Sequence, residues 1–367
     1  MIESLSISNF TVFGKDTKFT FSPGLNVILG ENGAGKTHVL KLAYLFSRAW
    51  PDLTSERLTV NKDWVQAYLA KRLADLFQVN DLSALLRRGS KSGASIEVHA
   101  SWLVAATKIP MPWKIGIKRE NHEAVVDASV FSVDVNYARE QGAVFPHQVL
   151  VPSKEMVSLF KGLIGLFDKY RDFPLDISYR DLAVAMSTLE PRDRPPLMSA
   201  VAQRMQSLLG GDLKLEKGEL VFERADGSQM DISLMAEGYR KLAMLIYLLR
   251  YSVVERGSTL FWDEPEANLN PAALKLLAEA LYALGNAGVQ VVVATHSLFL
   301  LREFEILQMR STQGYANQVP NKYFGLGRQK KDGPVSVTQS TDIADIEPLV
   351  LLDESLQQSD RYMEANP

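Results

Sequence analysis

One stretch constrains this chain more than any other. Gly30-Glu31-Asn32-Gly33-Ala34-Gly35-Lys36-Thr37 follows the apolar run Leu25 to Leu29 and leads into Val39, Leu40, Leu42, Ala43 and Phe46 at helical spacing. A G-x-x-x-x-G-K-[ST] segment between a strand and a helix has a direct physical reading. The glycines let backbone N–H groups wrap phosphates, and the helix N-terminus adds its positive end. The lysine neutralises the outer phosphates, and the hydroxyl can bind Mg²⁺. Gly30, Glu31, Asn32, Gly33, Ala34, Gly35, Lys36 and Thr37 are therefore candidate nucleotide-binding residues, with Lys36 also catalytic and Thr37 also a metal ligand. The helix they open is expected to end before Pro51. A guanine site would be expected to carry N-K-x-D, and Asn61-Lys62-Asp63-Trp64 lacks the final aspartate. ATP with Mg²⁺ is thus the expected cofactor pair, with Phe10 or Phe13 a candidate to stack on the base.

Length and charge bound what surrounds that loop. A chain of 367 residues has room for about two domains and a large core. Its net charge of −3 means that any nucleic-acid contact needs a local basic patch. Lys71-Arg72, Arg87-Arg88 with Lys91, and Arg328 with Lys330-Lys331 are scattered, as solvated faces are. With no cysteine there are no disulfides and no thiolate metal sites. The N-terminus lacks a signal-like pattern and no apolar run reaches membrane-spanning length, so the expected location is the cytoplasm and no membrane contact is expected.

The rest of the chain alternates in texture. A strand pair opens it. Residues 55–151 read as a helical segment followed by an antiparallel meander, in which Ile96 to Ala100 and Val130 to Val135 alternate. Residues 152–211 read as a helical lobe, with Met156, Leu159, Phe160, Leu163, Ile164 and Phe167 at helical spacing up to the Gly210-Gly211 break. Residues 212–310 return to strands and helices, and residues 311–367 read as a C-terminal tail.

Further chemistry sits at two strand exits. Leu260-Phe261-Trp262-Asp263-Glu264-Pro265 is an apolar strand ending in two acids. The first can hold the water shell of a metal ion, and the second can orient and deprotonate an attacking water. Alone, this reads equally well as an ordinary strand exit. Thr295-His296-Ser297 ends the next apolar strand, however, and brings an imidazole to the same edge of a parallel sheet, where ligands of α/β folds bind.

With these motifs in order, the chain resembles ABC-type ATPases of the SMC/RecF/OLD-like group, in which a long insertion separates the P-loop from the acidic strand. The resemblance implies an α/β ABC ATPase head: a P-loop sheet, an antiparallel β lobe and an inserted helical lobe. Residues 1–54 and 212–310 would be the two halves of the core. It implies Glu264 as catalytic base, His296 as γ-phosphate sensor and Asp263 as metal ligand. Asn268-Leu269-Asn270-Pro271 resembles the D-loop, with Asn270 in place of its aspartate, and Met235-Ala236-Glu237-Gly238-Tyr239-Arg240-Lys241 resembles the signature loop. In relatives a partner's signature loop caps the nucleotide, which makes Gly238 and Asn270 candidate cofactor contacts across a head-to-head dimer. Ala236 replaces a serine there, and losing a hydrogen bond to a charged group costs about 1.5–3 kcal/mol. Gln148 or Glu155 would stand at the Q-loop.

Sustained heptads are absent, so the arms of SMC-type relatives are not expected. Only about seventy residues follow His296, without an acidic constellation, so the TOPRIM nuclease of OLD-type relatives is not expected either. The resemblance extends to small bacterial ATPases of defence or toxin-like gene pairs. The expected role is an ATP-driven dimer or oligomer switch that controls a separate effector, with nucleic acid a candidate trigger. A RecF-like repair ATPase and the nucleotide-binding subunit of an ABC transporter are the alternatives.

Overall fold

Three segments, Leu25 to Gly30, Thr259 to Asp263 and Gln290 to Thr295, are apolar at nearly every position, and such runs need cover on both faces. A computed structural model describes the chain apart from residues 56–60, 90–92, 105–106, 111, 121–122, 131–144, 171–172, 188–195, 313–318, 329, 331–332, 348–349 and 366–367. In it all three runs are buried strands of one sheet.

In chain order, the strands β1 (Ile2–Ser8), β2 (Thr17–Thr20) and β3 (Leu25–Gly30) precede α1 (Lys36–Ser55) and α2 (Lys62–Phe77). Next come β4 (Ala94–Val104), β5 (Thr107–Pro110), β6 (Trp113–Glu120), β7 (Glu123–Val130) and β8 (Gln148–Val151). Helices α3 (Phe160–Lys169), α4 (Ile177–Met186) and α5 (Pro196–Leu209) form the helical lobe, and β9 (Gly211–Glu216), β10 (Glu219–Arg224) and β11 (Gln229–Asp231) form a small antiparallel sheet beside it. The second half of the core is α6 (Glu237–Arg250), β12 (Thr259–Asp263), α7 (Pro271–Asn286), β13 (Gln290–Thr295) and α8 (Leu298–Thr312). Strands β14 (Lys322–Arg328) and β15 (Val335–Ser340) and the helix α9 (Val350–Ala365) follow. The alternating run expected up to Val135 lies, beyond Val130, outside the described residues.

The core sheet runs in the order β15-β14-β3-β13-β12-β8, parallel except for β15. Because successive side chains in a strand point to opposite faces, the sheet divides the core in two. Val27, Leu29, Leu260, Trp262, Val291 and Val293 pack with α6, α7 and the helical lobe. Ile28, Phe261, Val292, Ala294 and Phe324 pack with α1 and the antiparallel sheet β2-β1-β4-β6-β7.

The structure departs from the sequence reading in several places. Helix α1 does not stop before Pro51 but continues to Ser55. A proline inside a helix removes one hydrogen bond. Here Trp50 and Leu53, both wholly buried, anchor the extra turn, and the Thr54 hydroxyl donates to the Trp50 and Pro51 carbonyls, each at 3.0 Å. Strand β8 is not part of the meander but pairs in parallel with β12. The stretch read as a tail supplies β14, the neighbour of the P-loop strand. Among the described residues no helix is long and apolar enough to cross a membrane.

Candidate active site

Sheet register brings the separated motifs together. Asp263 lies opposite Ala294, and Thr295 lies opposite Leu29, so β12, β13 and β3 all end at one edge. A backbone hydrogen bond from Glu264 N to Ala294 O, 2.8 Å, extends that alignment one residue past the strand.

At the P-loop, Gly35 has φ +93° and its missing Cβ would stand 2.7 Å from Val12 and 2.8 Å from the Phe13 ring. Only glycine satisfies both the left-handed backbone and the close approach. Phe13, against the loop, and Phe10 are both wholly buried. Neither ring is available to stack on a base, because both are core side chains carrying the β1–β2 turn. The Lys36 ammonium donates to the carbonyls of Gly30 at 2.8 Å and Glu31 at 3.1 Å, folded back over the loop. Burial pulls it below the usual lysine range, against the opposing pull of Glu264 and Asp263.

The Thr37 hydroxyl donates to Asp263 Oδ2 at 2.8 Å, which joins the P-loop to the acidic strand. The other oxygen, Oδ1, is buried with no hydrogen-bond partner among the described residues. Burial raises the Asp263 carboxyl to about 6, Glu264 adding to the effect and Thr37 opposing it. A buried, under-satisfied carboxylate beside a hydroxyl is a donor set that suits Mg²⁺, which takes one or two protein oxygens and fills its octahedron with phosphates and water. Among the described residues no cluster of three or more His, Asp or Glu residues could hold a metal by itself.

Glu264 holds a left-handed backbone, φ +47°, a conformation costing a non-glycine residue about 1–2 kcal/mol. It leaves the carboxylate 3.3 Å from His296 Nδ1. A third acid, Glu266, was passed over in the sequence reading although it lies two residues beyond Glu264. Its Oε1 accepts from the Thr295 hydroxyl at 2.6 Å and from His296 N at 3.0 Å, and lies 3.5 Å from His296 Nδ1. The imidazole is thus set between two carboxylates. The available signal was the extra acid immediately after Asp263-Glu264-Pro265.

The resemblance-based candidates fare unequally. Gly238 is in the first turn of α6 and is buried, with the site of its missing Cβ 2.3 Å from Asn268 O. Its close neighbours within the chain are therefore the Asn268 backbone and the Leu269 side chain. The first residue before that helix, Ala236, makes no side-chain cap. Asn270 caps α7, its side-chain oxygen accepting from Ala273 N at 2.9 Å. Gln148 opens β8 opposite Thr259, at the end of the strand remote from the P-loop, and its amide donates to Pro146 O at 3.0 Å. It does not occupy a Q-loop position. Glu155 lies beyond the near end of β8 and pairs with Arg240 of α6 at 3.0 Å.

Two further features came from long-range pairing. A cavity of about 170 Å³ adjoins Thr37 and Asp263 and is lined also by Lys41, Ser153, Lys154 and Tyr179. Arg328, at the end of β14, donates to Gly33 O at 3.1 Å. Of the other basic residues, Lys71 pairs with Asp75 and Arg72 with Asp181, each at 2.6 Å, while Lys91 and Lys331 lie outside the described residues.

Comparison with known proteins adds to this geometry. A family model described as AAA domain matches residues 4–42, and one described as AAA domain, putative AbiEii toxin, Type IV TA system matches residues 159–302. The Old nuclease of Escherichia phage P2 is 37% identical over 91 residues, which take in 22% of this chain and only 16% of that protein. The SMC head bound to the C-winged helix domain of ScpA superimposes with a TM-score of 0.55 at 15% identity, over 92% of this chain and 97% of the other. The Smc head domain with an extended coiled coil, bound to the C-terminal domain of ScpA derived from Pyrococcus furiosus, gives 0.51 at 14% identity over 99% of each chain. At such identities the structural likeness is one of fold. Fold and family matches agree on an ATPase head: the chain has the fold of SMC heads, matches AAA-domain family models in two segments, and is similar over a short stretch to an OLD-type nuclease.

Proposed function

We propose that the protein binds ATP with Mg²⁺, hydrolyses it, and uses the nucleotide to control assembly of two or more copies that act on a separate effector. The single observation that carries the reading is the 2.8 Å contact from Thr37 to Asp263, which closes the P-loop onto the acidic strand beside Glu264 and His296. Gly30 to Thr37 would cradle the phosphates, with the Lys36 ammonium turning from the loop carbonyls to the outer phosphates. Thr37 and Asp263 would hold Mg²⁺, which when bound stabilises charge on the transferring phosphoryl group. Glu264 would accept the proton of the attacking water. His296, held by Glu264 and Glu266, would hydrogen-bond the γ-phosphate.

The start of α6, where Ala236 supplies no side-chain cap, supports a role for Gly238 in closing a second copy's site, since the N-terminal end of a helix suits an anion. Asn270 would lie at the same boundary between copies. The toxin-type description of the matched family supports a bacterial defence or toxin-like setting with a companion protein. Glu264→Gln keeps the shape and removes the base, so it should retain ATP and sediment as the closed assembly. A variant that releases ATP and sediments like the nucleotide-free wild type refutes the switch.

A further inference from the structure

Lys241 is 1% exposed, one of the largest wholly buried side chains of the molecule. Lysine almost never occupies such a position without a partner, because an ammonium taken out of water costs several kcal/mol. Its direct contact is a hydrogen bond from Nζ to Ala267 O at 3.2 Å, and the carboxylates of Glu237, Glu266, Glu155 and Glu264 supply the surrounding negative charge. Lys241 lies three residues after Gly238 in α6, and Ala267 immediately follows Glu266.

The segment it grips is a pair of interlocked turns. Ala267 N bonds to Glu264 O at 3.2 Å, and Leu269 N bonds to Glu266 O at 3.1 Å. A pull on the Ala267 carbonyl is therefore felt at both Glu264 and Glu266. Glu266 in turn has one oxygen engaged by Thr295 and His296, while Oε2 is buried with no hydrogen-bond partner among the described residues. The same stretch passes over Gly238 at Asn268 O, and Asn268 adds a second left-handed residue, φ +64°. Meanwhile Asn270 is engaged as a helix cap.

We propose that Lys241 and Glu266 are positioning residues that tie the start of α6 to the Glu264–His296 pair of the same chain. Seating of α6 against a second copy's nucleotide is read through Lys241 and Ala267 as the placement of Glu264, and Glu266 holds His296 to match. Capping one site thereby sets the readiness of the other. The inference rests on the ATPase reading above.

Lys241→Met keeps volume and apolar packing and removes the ammonium, and Glu266→Gln keeps an acceptor for His296 N and removes the charge. In each, ATP should still bind stoichiometrically within about two-fold of the wild-type Kd, while kcat falls about ten-fold or more. Lys241→Arg should recover part of that loss. With five histidines in the chain, the imidazole ¹⁵N signals of His296 can be assigned with a His296→Gln control. They should shift in both Lys241→Met and Glu266→Gln. Unchanged His296 signals in folded Lys241→Met overturn the proposal whether or not the protein hydrolyses ATP. Wild-type turnover in Lys241→Met overturns it as well. Absence of ATP hydrolysis by the wild type sinks the ATPase reading instead, and the His296 signals still decide the linkage.

Discussion

The sharpest stability prediction concerns Asp181, a carboxylate buried where three elements meet. Its Oδ2 accepts from the Tyr44 hydroxyl of α1 at 2.7 Å and from Arg72 Nη2 of α2 at 2.6 Å, and Oδ1 lies 3.9 Å from Arg48 Nη2. Asp181 itself belongs to α4 of the helical lobe, so one side chain joins that lobe to the P-loop helix. Burial pushes its carboxyl up, but the guanidiniums of Arg48 and Arg72 outweigh burial and leave it below the usual carboxylate range. Asp181→Ala strands the buried Arg72 guanidinium and removes the acceptor for Tyr44. Breaking a buried pair from one side costs about 3–5 kcal/mol. Arg48 keeps Asp52 at 3.3 Å, which limits the damage, so the lower end, about 3 kcal/mol, is expected. Urea unfolding at pH 7, followed by tryptophan fluorescence, measures it. The double variant Asp181→Ala with Arg72→Met should recover a large part of the loss, because both charges are then gone. A loss under about 1 kcal/mol, or strict additivity in the double variant, would refute the argument that the pair is desolvated.

Three other outcomes follow from the geometry. His38, whose Nδ1 meets the Thr11 hydroxyl at 2.9 Å, is lowered from 6.5 to about 4, first by burial and then by Lys41. The unfolded chain therefore takes up this proton first as pH falls: the contribution is fully present above 6.5, is lost on the way down to 4, and amounts to about 2 kcal/mol between pH 7 and 5. His38→Gln should flatten that part of the urea-midpoint profile, and an unchanged slope contradicts the assignment. Thr37→Ala deprives Asp263 of its hydroxyl donor and should raise the Mg²⁺ concentration for half-maximal ATP turnover about ten-fold or more, read from a metal titration. Gly238→Ala drives a methyl into the Asn268 carbonyl and should cost about 1–3 kcal/mol in the same unfolding assay, with the loss absent if the D-loop simply yields.

How much was legible in the sequence follows from how local each feature is. The P-loop, the acidic strand and the histidine exit are contiguous motifs whose residue types suggest the chemistry, and the largely apolar runs before them mark buried strands that can end at one edge. Gln148 was misplaced because a four-residue strand gives no clue to which of its ends faces the ligand; the register with β12 decides that, and it favours Ser153 and Lys154. Arg328 reaches the P-loop only because β14 pairs with β3 across almost 300 residues of chain, 295 between Arg328 and Gly33. The union of Tyr44, Arg72 and Asp181 spans 137 and 109 residues and has no periodicity to betray it. In sequence Lys241 is only the last residue of the signature-like segment, and burial alone reveals it as an internal charge.

Whether Lys36, Asp263 and Glu264 form one site for hydrolysing ATP is decided by a matched measurement of ATP binding and phosphate release. The wild type should show saturable, Mg²⁺-dependent phosphate release, Lys36→Ala should lose ATP binding, and Glu264→Gln should retain ATP with turnover reduced about a hundred-fold or more. Equal ATP binding by the wild type and Lys36→Ala, or undiminished turnover by Glu264→Gln, would contradict such a site.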